Sequence, residues 1–183
     1  MSVTIQRKGY GQVEPNHLSA QYTGQIYAQL PAMKAEGTST VPITQLENGQ
    51  FLKYDYAHEA ANVTGDGEWL LVFNEVKLYD ERRQNYKDFC MKASDMADGK
   101  IYPRLLKINV GDIFTTNTFG GLNTGEDATV GTSITLAMTD KLVINAQGFL
   151  EAAGQSPTGP IFQVVKEYTL ADKQNAVKIQ RIA

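Results

Sequence analysis

Ile161-Phe-Gln-Val-Val-Lys-Glu-Tyr-Thr-Leu170 and Ala176-Val-Lys-Ile-Gln-Arg-Ile182 decide how this chain is read. Both segments alternate apolar and polar side chains, the period of a strand with one buried face. The polar residues 172–175 between them supply a turn, so the pair reads as an antiparallel hairpin. Working back along the chain, Ser133–Met138 and Lys141–Asn145 repeat the alternation, and Gln147-Gly148 turns the chain after them. Arg104–Val110 and Asp112–Phe119 read as two strands joined at Gly111-Asp112. Asn48-Gly49 is a strong turn pair before a strand over Gln50–Tyr56, and Gly65-Asp66-Gly67 is another turn. Trp69–Tyr79 is the most apolar strand, opening on the unbroken run Trp69-Leu70-Leu71-Val72-Phe73. Residues 89–96 fit a short helix or a further strand, and Asp98-Gly99 turns the chain once more. Gly120–Gly131, with four glycines, and the polar Glu81–Gln84 read as exposed loops. No stripe of period 3.6 runs through any part of the chain. The expectation is an all-β fold, a β-barrel or β-sandwich.

Two features organise that fold. Trp69–Asp80 (WLLVFNEVKLYD) can be laid on Ile161–Asp172 (IFQVVKEYTLAD), matching Val72 with Val164, Glu75 with Glu167 and Leu78 with Leu170. A Gly-Phe-Leu-like start precedes each, at Gly49–Leu52 and at Gly148–Leu150. Two related small β-units would give this echo, and so would the common composition of strands that end in a charged turn. The second feature is the stretch before Pro42. Residues 1–7 suit a short strand. Gly9, Gly11, Pro15, Gly24, Pro31 and Gly37 then break any helix longer than a turn over Asn16–Ala20, yet Tyr10, Leu18, Tyr22, Ile26, Tyr27 and Leu30 are too apolar for a solvated linker. The reading is an extended N-terminal arm over residues 1–41, a β-unit over 42–104 and a barrel-like unit over 105–183. Tyr10, Tyr22, Ile26, Tyr27 and Leu30 are the expected partner contacts, with a neighbouring subunit or the chain's own barrel as what they cover.

Composition narrows function mainly by exclusion. The 183 residues suit one domain or two small ones, and 42% hydrophobic content supports a core. A net charge of −3 is mild and of the wrong sign for a nucleic-acid binder, although Arg82, Arg83 and Lys87 lie near tyrosines. No apolar run approaches the ~20 residues that cross a bilayer, and the first residues carry no signal-peptide pattern. The reading is a protein made in the cytoplasm, with no membrane partner.

Catalytic motifs fail one by one. His58-Glu-Ala-Ala-Asn62 lacks the second histidine of the zinc-protease helix. A lone Cys90 with His17 and His58 offers neither a metal set nor a local nucleophile signature. Gly154–Gly159 has the wrong spacing for a serine elbow, and Gly120–Gly125 lacks the lysine and helix of a phosphate loop. Glu126-Asp127 and Asp80-Glu81 read as solvated turn charges, and Asn62-Val63-Thr64 is a glycosylation sequon by pattern alone. The expectation is a non-enzyme with no catalytic residue, cofactor or metal.

Ile108–Asn117, Lys141–Asn145 with Gly148-Phe149-Leu150, and the hairpin Phe162–Leu170 with Ala176–Ile182 resemble the small β-barrel head proteins of tailed bacteriophages, of the capsid-decoration or stabilising type. Tyr10–Ala20 and Gln25–Pro31 share the character of phage structural proteins. The resemblance spans about half the chain and leaves residues 51–104 unmatched. It implies a virion protein that forms homo-oligomers on the particle and contacts the major capsid protein or neighbouring virion subunits. The alternatives are a neck or tail component and a carbohydrate-binding β-sandwich module displaying Trp69 and the tyrosines.

Overall fold

The computed structural model describes residues 2–7, 9–14, 17–18, 26–36, 39–74, 90–122 and 132–183. The fold is all-β. Among the described residues, two five-stranded antiparallel sheets dominate it, with three two-stranded pairs around them.

The first sheet contains β2 (Ile26–Ala28), β6 (Phe51–Asp55), β7 (Ala60–Asn62), β8 (Trp69–Val72) and β10 (Leu105–Leu106), in the spatial order β2-β10-β8-β6-β7. The second contains β11 (Ile113–Thr116), β13 (Lys141–Ile144), β14 (Leu150–Ala152), β15 (Phe162–Thr169) and β16 (Asn175–Arg181), in the order β11-β16-β15-β13-β14. The closing hairpin read from the sequence is the β15–β16 pair, with a bulge between Val164 and Lys166. The smaller pairs join β1 (Ser2–Gln6) to β12 (Ser133–Ala137), β3 (Met33–Glu36) to β4 (Ser39–Pro42), and β5 (Gln45–Glu47) to β9 (Cys90–Lys92). Residues 89–96, read as helix or strand, supply both β9 and a single 3-10 turn at Ala93–Asp95.

The two sheets are one arrangement built twice. Each takes its first strand in chain order as an edge, followed by the fifth, fourth, second and third. Neither sheet closes by a continuous ladder, but one parallel bridge ties the two edges of each, Ala32 to Ala61 in the first and Phe119 to Leu150 in the second. The register agrees as well. Leu52 faces Leu70 as Leu142 faces Phe162, and Leu105 faces Val72 as Ile179 faces Val164. This pairing lays Trp69 on Ile161 and Val72 on Val164, the alignment seen in the sequence.

The turns entering β6 and β13 match bond for bond. Gly49 N–H donates to Val72 O at 2.9 Å, and Thr139 N–H to Val164 O at 2.9 Å. Val72 N–H returns to Gln50 O at 2.8 Å, and Val164 N–H to Asp140 O at 2.9 Å. The side chains of Gln50 and Asp140 accept from Glu47 N–H at 2.6 Å and Ala137 N–H at 2.8 Å. Gly49 and Thr139 both adopt positive φ, +91° and +74°.

The other half of the sequence echo does not hold. The counterpart of Phe51 is Lys141, and that of Leu150 is Ala61, so Gly49–Leu52 and Gly148–Leu150 begin strands in different places. The unit boundaries also move. β10 lies beyond the boundary at 104 yet pairs with β8, and β2 lies within the stretch read as an arm yet forms the edge of the first sheet. Gly111-Asp112 carries the chain from one sheet to the other rather than joining two paired strands. The strand expected over Arg104–Val110 shortens to Leu105–Leu106.

The inner faces fill two cores. Leu52, Tyr54, Leu70, Val72 and Leu105 pack with Leu46, Met91 and Ile101. Their counterparts Leu142, Ile144, Phe162, Val164 and Ile179 pack with Val3, Ile5 and Leu136. The outer face of the first sheet carries Phe51, Leu71 and Leu106, which lie in the second core. There the Phe51 ring sits 5.7 Å from Phe162 and 6.2 Å from Phe114. The sheets therefore stack, the back of the first on the inside of the second. β8 is buried on both faces, which is why its sequence reads as an unbroken apolar run.

Candidate functional site

The expected partner contacts take interior or strand positions wherever they are described. Tyr10 is 5% exposed, with the Lys92 ammonium 5.7 Å from its ring centroid. Leu30 packs half-buried against the first core. Ile26 and Tyr27 belong to β2, where Ile26 pairs with Leu106. Tyr22 and most of the helical turn expected over Asn16–Ala20 lie outside the described residues. Of the two coverings left open for the arm, its described residues meet the chain's own sheets, in both halves of the molecule.

What holds them is a buried polar seam that sequence reading missed. Thr115, Thr116, Asn117 and Thr118 are each 0% exposed, and Arg7, Gln12, Glu14 and Glu47 are at most 2% exposed. Most buried polar groups in folded proteins are paired, and here the partners come from three parts of the chain. Arg7 Nη1 donates to Glu47 Oε2 at 2.9 Å, and Gly11 N–H donates to the same oxygen at 2.9 Å. Gln12 N–H donates to Asn117 Oδ1 at 2.8 Å, while Thr116 Oγ1 donates to Gln12 O at 2.6 Å. Thr118 Oγ1 donates to Asn48 O at 2.8 Å, reaching the first unit. Gln12 Nε2 and Gln174 Nε2 both donate to Asp172 Oδ2, at 2.7 and 2.6 Å. A Cβ on Gly11 would sit 2.2 Å from Thr118 Oγ1, so only glycine lets the strands approach this closely. The signal available in the sequence was Thr115-Thr116-Asn117-Thr118 between Phe114 and Phe119, a polar run inside an apolar frame.

The reactive residue types are dispersed. Cys90 is buried, with Sγ donating to Met91 O at 3.4 Å. His17 shares a hydrogen bond with Thr115 Oγ1 at 3.0 Å and meets the Tyr168 ring edge-on at 4.6 Å. His58 sits at the β6–β7 tip, its Nδ1 2.9 Å from Asp55. The hydrogen bond from Asn62, then that from His58, hold the Asp55 carboxyl below its ordinary value. The sequon Asn62 is buried, and its amide donates to Asp55 Oδ2 at 2.9 Å. Near the 3-10 turn, the Tyr102 hydroxyl donates to Asp98 Oδ2 at 2.9 Å, which raises the phenol pKa and lowers that of the carboxyl. Among the described residues, no three His, Cys, Asp or Glu side chains gather as a metal set.

Among the described basic residues, Lys107 pairs with Glu68 at 2.7 Å, and the Arg104 backbone N–H donates to Asn74 Oδ1 at 2.7 Å. Arg82, Arg83, Lys87, Asp80-Glu81 and Glu126-Asp127 lie outside the described residues. Trp69 is half-buried, with the Lys53 ammonium 4.6 Å from its ring. Among the described residues, exposed large apolar side chains fall at several tips and turns: Tyr56 at the β6–β7 tip, Met96 and Tyr102 on either side of the Asp98-Gly99 turn, Met138 at the β12–β13 turn, and Val110 and Ile182 near the β11–β16 end. No described helix is long and apolar enough to cross a membrane.

Comparisons with known protein families, with curated proteins and with solved structures find no match.

Proposed function

We propose that this protein is a non-enzymatic structural component of a tailed-bacteriophage head, binding and stabilising or decorating the shell through many copies of a modest protein–protein contact. The observation that carries the reading is how the polar groups and exposed apolar side chains are spent. Most of the buried charged and amide groups go into the seam that clamps the two units into one body, and the exposed apolar residues are distributed over several tips and turns. A body with dispersed contact points suits a repeating lattice, where avidity replaces the single strong site. The phage-like stretches Ile108–Asn117 and Phe162–Ile182 supply β11, β15 and β16 of the second sheet and the passage into it, the part that also receives β1.

The carbohydrate-module alternative gains less support. It needs several aromatic faces open together, whereas Lys53 covers Trp69, and Tyr54 is buried beneath Tyr56 at a ring spacing of 5.7 Å.

Quantitative mass spectrometry of purified particles tests the proposal. A copy number equal to that of the major shell protein, or a simple fraction of it, is the expected result. A few copies per particle moves the protein to the neck or tail. Absence from the particle overturns the virion reading.

A further inference from the structure

The two units differ in how they complete the strand pair beside their first core-lining turn. β5 and β12 are counterparts, with Leu46 and Leu136 each 1% exposed in their respective cores. β5 is paired by β9, which the first unit supplies from its own long connection between β8 and β10. The second unit has no such connection, since β15 passes to β16 through residues 170–174 alone. Its slot beside β12 is filled by β1, whose Thr4 lies 131 positions away from Thr135 in sequence.

The main strand contacts of β1 are with β12 and β16, both supplied by the second unit. Five residues pair in antiparallel register, Ser2 with Ala137 through Gln6 with Ser133. Val3 and Ile5 enter the second core, and Asn175 Nδ2 donates to Thr4 O at 2.9 Å. The chain that follows nevertheless runs to β2 in the first sheet. The second unit thus reads this strand as it would a separate peptide, with main-chain bonds for affinity and alternate side-chain positions for register.

We propose that the slot along β12 is a strand-acceptor site, and that in the assembled state residues 2–6 of a second copy of this chain fill it. The slot specifies a sequence, not a tether, so the same bonds form whether the strand arrives from its own chain or from a neighbour. Concentrating copies on a lattice, or folding them together, lets the intermolecular form compete with the intramolecular one. Each copy then completes the next, and the seam residues Arg7 and Gly11 travel with β1 to engage the neighbour's Glu47 together. The inference stands apart from the virion reading, because it concerns the purified chain.

The test uses full-length protein carrying Cys90→Ser, with Thr4→Cys added in one preparation and Thr135→Cys in another. Both positions are exposed, and their hydroxyl oxygens lie 3.1 Å apart across the pair, so small thiols there leave the core untouched. The two variants are denatured, mixed, refolded together over a range of concentrations and oxidised. The expected result is a disulfide-linked dimer absent from either variant alone, rising with concentration, with positions 4 and 135 joined in the linked peptide. The double variant T4C/T135C closes within one chain and shows that the thiols reach each other. Closure of the double variant without any mixed dimer overturns the exchange. Failure of the double variant to close overturns the β1–β12 pairing, and the proposal with it.

Discussion

The first and second sheets share strand order, register and entry turn, and differ on one face. Phe51, Leu71 and Leu106 on the back of the first sheet correspond to Lys141, Gln163 and Gln180 on the back of the second. The former lie in the core between the sheets, whereas Lys141 is exposed and the two glutamines are half-exposed. The inner faces, by contrast, are apolar in both. The same backbone accepts either chemistry on its back, and the choice follows from whether another layer covers it. Stacking consumes the back of the first sheet, and polar side chains on the back of the second end the stack there.

The sharpest way to break this comparison is to truncate equivalent residues on the two backs. Leu71→Ala opens a cavity between the sheets and is expected to cost about 2–5 kcal/mol. Gln163→Ala, at the same place in the second sheet, is expected to stay within about 0.5 kcal/mol of the parent. Urea unfolding of both variants checks the pair, and equal losses would mean that the backs are not differently covered.

The entry turns allow a finer comparison with opposite signs. Gly49→Ala forces a Cβ into a left-handed conformation and to within 2.7 Å of the Thr118 Cβ, where the seam crosses the turn. A loss of about 2 kcal/mol is expected. Thr139 holds the same conformation with a β-branched side chain, so Thr139→Gly relieves strain and is expected to gain about 0.5–1 kcal/mol. Thermal melts of the two variants should move in opposite directions.

The smallest difference lies at the tips of the β6–β7 and β13–β14 hairpins. Asp55 occupies the place of Asn145, and both side chains accept backbone N–H groups, from His58 in one case and from Gln147 and Phe149 in the other. The folded pKa of Asp55 lies below its ordinary 3.8. Its stabilising contribution is therefore fully present above that value and fades as pH falls below it through the folded pKa. Asp55→Asn should remove this part of the acid dependence while keeping the turn, as Asn145 does. Stability measured from pH 5 down to pH 2 in parent and variant checks it, and an unchanged slope would discard the assignment.

Much of the sheet framework was legible because its signals are local. Asn48-Gly49, Asp98-Gly99 and Gln147-Gly148 mark turns by backbone conformation, and the closing hairpin is marked by period-two alternation. The repeat was visible in the one pair of strands, β8 and β15, where an inward position, Val72 and Val164, coincides in sequence. It was obscured elsewhere because Phe51 and Lys141, true counterparts, answer to different neighbours. The false echo at Leu150 arose because strands that follow a glycine turn look alike wherever they lie in the sheet. The candidate site was less legible. Tyr10 and Leu30 were singled out for being too apolar for a linker, which is correct, but what they cover is this chain itself.

The sequence by itself determined an all-β chain, its principal turns and the register that relates β8 to β15, since these depend on residues a few positions apart. Tertiary structure alone decided that the first sheet lies with its back against the second, that β1 completes a unit whose nearest strand is more than a hundred residues away, and that Arg7, Glu47 and Thr115–Thr118 are interior. Burial of a polar group becomes favourable only once its partner is in place, and those partners come from distant segments that no local pattern brings together.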